Sequence, residues 1–512
     1  MKRKLLIFCL LIAGISGSLF AQEPVDQAAV QKIREEGLNH SKVMETAFYL
    51  TDVAGPRLAG SPGLKRAQNW AVSQLKSWGI PNAKLESWGK FGKGWEVQKN
   101  YAAMTLPYYH AIIAIPKAWT SGTNGPIKGD VMLIKTDTIT DLDQYKGKLA
   151  GKIVILDTKG KLNRNTKADL SRYTDAELDE MAKATAPKTN NSPRVFTLSN
   201  ERKLRIAIGK FLQDEKVGLI LSMARGTDGT VFTTNGASYA DTAKVAAPEL
   251  ETSGEDYLRI VRLLKGGQKV EMEADIKTQF FTDDLQGYDV VAEIPGTDKK
   301  LKDQVVMIGG HLDSWHGATG ATDNAAGSAV MMEVMRILKA IDFKPKRTIR
   351  IALWSSEEQG LFGSRGYVLN HFGDPKTMQL KPEQAKLSAY YNLDNGTGKI
   401  RGIYLQGDSA AGPVFKPWFE PFKDLGARTV TIRNTGGTDH QSFDAVGIPG
   451  FQFIQDNMDY GTRTHHSNQD TYDRLSEDDL KQAATIVASF VYNTSQRQEM
   501  IPRKLSKAQG TN

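Results

Sequence analysis

From position 286 onward the sequence alternates short apolar runs with stretches of helical periodicity, and this alternation constrains the fold most. The apolar runs predict strands at 305–308, 349–354, 389–393 and 451–454. Helical spacing of apolar residues predicts a helix over 325–341 and another that begins at Ser476. Strands that alternate with helices favour a mainly parallel, mixed sheet with helices on both faces. We therefore predict an α/β fold of this type.

The region before this alternation has a different pattern. Residues 106–276 contain apolar runs bounded by glycine or aspartate, at 131–134, 153–156 and 217–221. Runs of this kind are typical of strands. The capping-box pattern at 174–177 predicts a short helix between them. We predict a small β-rich domain at 106–276, inserted into a larger domain that is formed by 22–105 and 277–505 and followed by a tail, 506–512.

The N-terminus has the pattern of a secretory signal peptide. Three basic residues follow Met1, an apolar run extends over 5–19, and Ala21 precedes the expected cleavage point. The run is shorter than the ~20 residues that a membrane helix needs. We therefore expect a signal peptide at 1–21 and export to the periplasm or the medium, without a stable membrane span after cleavage. An uncleaved anchor is the alternative.

Composition argues against several functional classes. The only cysteine, Cys9, lies in the predicted signal, so the mature chain has no disulfide, thiolate metal ligand or cysteine nucleophile. The net charge is +8, but no dense block of lysine and arginine occurs, and nucleic-acid binding receives little support. Hydrophobic residues at 40% and charged residues at 24% are ordinary for a globular chain and argue against extensive disorder.

Histidines and carboxylates follow four of the predicted strands. In strand order these residues are His311 and Asp313, Glu357 and Glu358, Asp394, and His465 and His466. Asp323 stands just before the helix at 325–341. Because ligands of open α/β sheets gather at the carboxyl ends of the strands, we expect these side chains to lie close together.

Each of these residues also has a structural interpretation when it is taken alone. Asp323 is a common kind of helix N-cap, and Asp394 precedes an Asn–Gly turn. Taken together, nitrogen and oxygen donors without thiolate suit zinc or a harder divalent ion. Two such ions, three carboxylates and one bridging hydroxide nearly cancel in charge, as in two-metal sites that clamp an attacking oxygen and the carbonyl it attacks.

The motifs, in this order, resemble those of the M28 family of metallopeptidases. The matching stretches are 311–314, 320–327, 354–364, 392–394 and 466–471, and 56–63 resembles the family's N-terminal segment. Within the family the sequence is most similar to the carboxypeptidase Q group, and the block 106–276 resembles a protease-associated (PA) domain. The resemblance implies a fold of the zinc exopeptidase type and covers nearly all of the mature chain.

The resemblance also implies a role for each matching residue. The implied ligands of two divalent ions, with zinc the expected metal, are His311, Asp323, Glu358, Asp394 and His466. Asp323 would bridge the ions, and Asp313 would orient His311. Glu357 would be the general base that accepts a proton from the metal-held water. Three further histidines are weaker candidates for lining the substrate pocket, namely His316, His440 and His465.

The implied activity is that of a secreted, metal-dependent exopeptidase acting on peptides or dipeptides through a metal-bridging hydroxide. Aminopeptidase and carboxypeptidase or dipeptidase specificities share this kind of site, and both stay open. A glutaminyl cyclase, which resembles the same fold with one zinc ion, is an alternative that the PA-like insertion argues against. A non-catalytic binding protein on a peptidase scaffold is another, although all the ligand positions are filled. The sequence leaves a homodimer open.

Overall fold

The computed structural model describes residues 23–163, 165–186, 199–233 and 235–504. The predicted signal peptide at 1–21 and the tail at 506–512 lie outside the described residues. Within the described ranges, two eight-stranded sheets and one two-stranded hairpin hold the named strands. None of the helices in these ranges has the length and apolar character that crossing a membrane requires.

The strands in chain order are β1 (Lys84–Lys90), β2 (Gly94–Leu106), β3 (His110–Ala111), β4 (Ala114–Pro116), β5 (Ile127–Ile134), β6 (Ile153–Leu156), β7 (Leu219–Met223), β8 (Glu249–Thr252), β9 (Glu271–Phe281), β10 (Gln286–Ile294), β11 (Val305–His311), β12 (Thr348–Trp354), β13 (Gly373–Asp374), β14 (Gln379–Leu380), β15 (Leu387–Asn392), β16 (Ile400–Tyr404), β17 (Thr429–Thr431) and β18 (Gly450–Gln455). The α-helices are α1 (Gln27–Asn39), α2 (Val43–Phe48), α3 (Pro62–Ser77), α4 (Asp175–Ala182), α5 (Asn200–Asp214), α6 (Gly254–Lys265), α7 (Ala326–Ala340), α8 (Phe362–His371), α9 (Gly412–Phe419), α10 (His440–Asp444) and α11 (Glu477–Gln496). Short 3-10 and π turns connect several of them.

The first sheet has the strand order β1-β10-β12-β11-β15-β18-β16-β17. Its four central strands are mutually parallel, through the pairs β12–β11, β11–β15 and β15–β18. The outer pairs β1–β10, β10–β12 and β16–β18 are antiparallel. This arrangement confirms the predicted mainly parallel, mixed sheet. The four central strands are also the four that the apolar runs predicted, so their carboxyl ends lie side by side.

Helices cover both faces of this sheet, as predicted. Along β11, Val306 and Ile308 pack into one buried cluster, whereas Met307, which points to the opposite face, packs into another. The first cluster contains buried side chains of α1, α2, α3, α7 and α11. The second contains side chains of α8 and α10, among them Tyr367 and Phe443. Alternate residues of a strand face opposite sides, so a strand buried on both faces requires helices on both.

The second sheet has the order β3-β2-β9-β5-β6-β7-β8-β4, and α5 and α6 pack against it. The predicted strands at 131–134, 153–156 and 217–221 correspond to β5, β6 and β7. The capping box at Thr174 begins α4, as predicted. Because β2 and β9 are strands of this sheet, it extends from Gly94 to Phe281, beyond the predicted limits at 106 and 276.

Candidate active site

The carboxyl ends of β11, β12, β15 and β18 bring two histidines and three carboxylates into one cluster. His311 Nε2 lies 3.2 Å from Asp394 Oδ1 and 3.3 Å from Asp323 Oδ1. His466 Nε2 lies 2.8 Å from Glu358 Oε2 and 3.2 Å from Asp323 Oδ2. The structure therefore brings all five sequence-predicted ligand residues together. Asp323 lies between the two histidines and presents one oxygen to each.

This cluster has the donor chemistry of a cation site. Donor atoms of His311, Asp323 and Glu358 lie within 4.8 Å of one another, as do those of Asp323, His465 and His466. Asp323 Oδ2 and Glu358 Oε1 are buried and have no hydrogen-bond partner. A buried carboxylate oxygen without a partner is costly, and a bound cation removes that cost. The residues present therefore fit one or more divalent ions.

Asp323 lies in a π turn, Ala321–Ala325, that precedes α7. The carboxylate of Asp470 holds this turn, because it accepts hydrogen bonds from the backbone N–H groups of Thr322 at 2.6 Å and of Asp323 at 3.0 Å. The N-cap of α7 is Ala325, so the alternative in which Asp323 serves as the N-cap is wrong. Capping of the first turn comes instead from Asn324, whose Oδ1 accepts from the N–H of Gly327.

Asp313 orients both halves of the cluster, and it does so through two different groups. Its backbone carbonyl oxygen lies 3.0 Å from His311 Nδ1, whereas its carboxylate oxygen lies 3.6 Å from the same atom. The carboxylate accepts hydrogen bonds from the backbone N–H groups of Glu357 at 3.2 Å and Glu358 at 3.3 Å. Asp313 thus fixes His311 by its main chain and the glutamate pair by its side chain.

The two adjacent glutamates differ in their surroundings. Burial raises the pKa of Glu357 well above its usual range, partly opposed by His311, whose Nε2 is 4.0 Å from Glu357 Oε2. Burial also raises the pKa of Glu358, to about 7, with the charge of Asp323 adding to it and His466 opposing it. Glu358 contacts a histidine at hydrogen-bond distance, whereas Glu357 lies to the side of the cluster. The two adjacent glutamates thus differ in their contacts with the histidines of the cluster.

A cavity of about 480 Å³ opens over this cluster. Glu357, His465 and Tyr460 line it, so His465 occupies the predicted position. His316 and His440 do not line it, and their prediction as pocket residues is wrong. His316 Nε2 lies 2.7 Å from the carbonyl of Pro116, and His440 is fully buried near Thr435. Burial lowers the pKa of each to about 4, so both are neutral at pH 7.

Sequence reasoning gave no role to two residues of the site, Arg57 and Tyr460. Arg57 is fully buried and donates to the backbone carbonyls of Leu312 and Gly320, the segments that carry Asp313 and Asp323. Burial lowers its pKa to about 10, so it stays charged at neutral pH. Tyr460 packs against His465 with ring centroids 4.7 Å apart. The resemblance at 56–63 marked the segment around Arg57, but no local signal marked Tyr460.

The region of the second sheet contacts the segment that carries His466. The backbone N–H of Thr233 donates to the carbonyl of His466 at 2.7 Å. Asn468 Oδ1 accepts from the N–H of Val231 at 2.8 Å, and its Nδ2 donates to the carbonyl of Gly229 at 3.1 Å. We refer to residues 229–233 as the clamp loop. The clamp loop fixes the backbone on both sides of Ser467, and with it the histidine beside Asp323.

Comparison with known proteins agrees with this geometry. Residues 289–491 match the model of peptidase family M28. The sequence is 25% identical to carboxypeptidase Q of Rattus norvegicus, over 95% of this chain and 96% of that protein. The crystal structure of a peptidase M28 precursor from Shewanella amazonensis has a TM-score of 0.65 at 24% identity, over 94% of this chain and 99% of that one. The zinc aminopeptidase BSAP of Bacillus subtilis has a TM-score of 0.55 at 19% identity, over 90% and 96%. The region 289–491, which contains every residue of the cluster, thus matches peptidase family M28, and similarity to carboxypeptidase Q extends over nearly the whole chain.

Proposed function

We propose that the chain is an exported exopeptidase that releases single residues from peptides or splits dipeptides, with two divalent ions, zinc by preference, at its site. The observation that carries the proposal is the position of Asp323 between His311 and His466, with Glu357 beside them in the same cavity. One relative is named as a carboxypeptidase and one structural neighbour as a zinc aminopeptidase, which supports this class of reaction.

Each ion would have its own set of protein ligands. His311 and Asp394 would hold one ion, Glu358 and His466 the other, and Asp323 would be shared between them. When bound, two such ions polarise the scissile carbonyl and lower the pKa of the attacking water. The charge of the bound ions would also remove the cost of burying three carboxylates near one another.

The proton transfers fall to Glu357. Its carboxylate lines the cavity beside the cation site, and burial raises its pKa, so it can accept a proton from water and return it to the leaving amine. Asp313 holds the backbone of Glu357 in place. Tyr460 and His465 form the neighbouring wall of the cavity. His465 would contact substrate there.

The exported state, the domain division and the role of the inserted domain belong to the same proposal. The pattern at 1–21 supports export by a cleaved signal. The sheet that runs from Gly94 to Phe281 supports a PA-like domain with those limits, inserted into the M28 domain. The clamp loop supports a role for that domain in the metal site.

The experiment that tests the proposal measures metal content beside hydrolysis on purified mature protein. The substrates are an aminoacyl amide, an N-blocked peptide, an unblocked dipeptide and a peptide with N-terminal glutamine. We expect two ions per chain and release of amino acids that a chelator abolishes. One ion with cyclisation of the glutamine peptide would instead establish a cyclase. Neither metal nor turnover would leave a binding scaffold.

Replacing Asn468 by Ala is expected to weaken binding of one ion and leave the other in place. The substitution removes both side-chain hydrogen bonds to the clamp loop, so His466 loses part of its support while His311 keeps its own. Ligand-orienting contacts typically contribute about 10- to 100-fold to metal affinity. Titration with a competing chelator would measure the two affinities separately.

Arg172→Gln is the matched control for this prediction. Arg172 joins the inserted domain to the M28 domain through Asp456 and Asp479, away from the clamp loop. Its loss should lower the thermal unfolding midpoint. It should not weaken the binding of one ion more than that of the other. Equal weakening of both ions in Asn468→Ala would show that the clamp loop stabilises the domain interface rather than His466.

A further inference from the structure

The charges that line the cavity are strongly unequal. Four carboxylates line it, namely Asp323, Glu357, Glu358 and Asp394. Three of them are proposed cation ligands, and the fourth, Glu357, is the proposed proton acceptor. Only one lysine or arginine lines it, Arg365. Arg365 is exposed, and in the part of the chain that the structure describes no ion pair or side-chain hydrogen bond involves it. The lining thus includes a guanidinium group that has no anionic partner among the described residues.

The position of Arg365 directs its side chain toward the cavity. It lies in the first turn of α8, which begins at Phe362, directly after the cavity-lining residues Gly360 and Leu361. Cα–Cβ bonds of a helix tilt toward its N-terminus, and long side chains follow them. The N-terminus of α8 faces the cavity, so the guanidinium extends toward the space beside the glutamate pair.

We propose that Arg365 binds the free C-terminal carboxylate of the substrate and so favours dipeptides and peptide C-termini over blocked or amidated ends. This inference rests on the proposed exopeptidase function and names its substrate class. A guanidinium forms two parallel hydrogen bonds to a carboxylate, which fixes the direction of the bound peptide as well as its charge. The lining carboxylates are all committed to cations or proton transfer, so none is left to pair with a substrate ammonium group.

The test compares a free dipeptide with the same dipeptide as its C-terminal amide. Both keep the free amine, so they differ only in the group that Arg365 would bind. In Arg365→Gln we expect kcat/KM for the free dipeptide to fall about 10- to 100-fold, mostly through KM, because a charge-assisted hydrogen-bonded pair is lost. The value for the amide should change less than about twofold. Arg365→Lys should lie between the two, since lysine keeps the charge and loses the bidentate geometry.

Binding provides a second readout that does not depend on turnover. In the Glu357→Gln background the dissociation constant of the free dipeptide should rise with Arg365→Gln, and that of the amide should not. Arg262→Gln is the matched control, because Arg262 is also exposed but lies in the last turn of α6, outside the cavity lining and the clamp loop. Metal content and the thermal unfolding midpoint of every variant should equal those of the wild type.

Several results would overturn the proposal. Arg365→Gln could lower kcat/KM for both substrates equally, it could leave both values unchanged, or Arg262→Gln could abolish the preference for the free carboxylate instead. These failures are distinct from failure of the proposed function, in which the wild-type enzyme would hydrolyse neither substrate. Hydrolysis of both substrates with no preference in the wild type would reject the role of Arg365 and leave the exopeptidase intact.

Discussion

Replacing Glu357 by Gln is expected to lower kcat by about 10²- to 10⁴-fold while both metal ions stay bound. Glutamine has the shape of the native side chain but cannot accept a proton at neutral pH. Glu357 Oε2 lies 4.0 Å from His311 Nε2 and Glu357 is not among the predicted ligands, so the substitution should spare the metal site. Its backbone hydrogen bond to Asp313 does not involve the side chain and should persist. Turnover of the preferred dipeptide and metal content per chain would be measured together.

Glu358→Gln is the control, because it changes the next residue in the same way. Glu358 Oε2 lies 2.8 Å from His466 Nε2, and its carboxylate is a predicted ligand. We therefore expect the reverse pattern, with one ion lost and activity falling as a consequence. Near wild-type turnover in Glu357→Gln would show that another group accepts the proton. Loss of metal from Glu357→Gln would show that this residue binds a cation.

The central part of the fold was predictable because a strand that is buried on both faces is a continuous run of apolar residues in the sequence. In β15 and β18 every residue is buried, β11 is buried after its first residue, and β12 is buried from Ile351 to its end, so each contains an apolar run that is visible in the sequence. The outer strand β1 has only exposed and half-buried residues, so it carries no comparable signal. In β9 the buried residues Met272, Ala274 and Ile276 do alternate with more exposed ones. That period of two ends at Ile276, where the predicted limit lies, and the last five residues of β9 include no buried position that would have extended it.

The site was predictable to the extent that it follows from strand ends. Parallel neighbours place their carboxyl ends together, and the five predicted ligands come together for that reason. What the sequence could not provide were contacts between distant segments. The hydrogen bond from Thr233 to His466 joins the region of the second sheet to a segment of the first, and Arg57 donates to the carbonyls of Leu312 and Gly320 from the N-terminal part of the chain. His316 and His440 resembled pocket residues only by proximity to motifs, because local sequence does not record which way a side chain faces.

Asp323→Asn is expected to lose both ions, whereas Glu358→Gln loses only one. Asp323 presents Oδ1 to His311 at 3.3 Å and Oδ2 to His466 at 3.2 Å, so its two oxygens serve both halves of the cluster. Asparagine replaces one oxygen by an NH2 group that cannot bind a cation, and it removes one negative charge from the shared position. The turn should keep its shape, because Asp470 binds the backbone N–H groups of Thr322 and residue 323 rather than the side chain.

Metal content would fall from two ions to fewer than one per chain. The value of kcat/KM would fall by about 10³-fold or more, because loss of both ions removes several kcal/mol of transition-state stabilisation. Thermal unfolding gives an independent measure. Added zinc should raise the unfolding midpoint of the metal-free wild type, since a ligand that binds only the folded state stabilises it, and this increase should be small or absent in Asp323→Asn. If Asp323→Asn instead kept one tightly bound ion, as Glu358→Gln should, the two cations would not share Asp323. The site would then consist of two separate mononuclear centres, and the chemistry would require only the one beside Glu357.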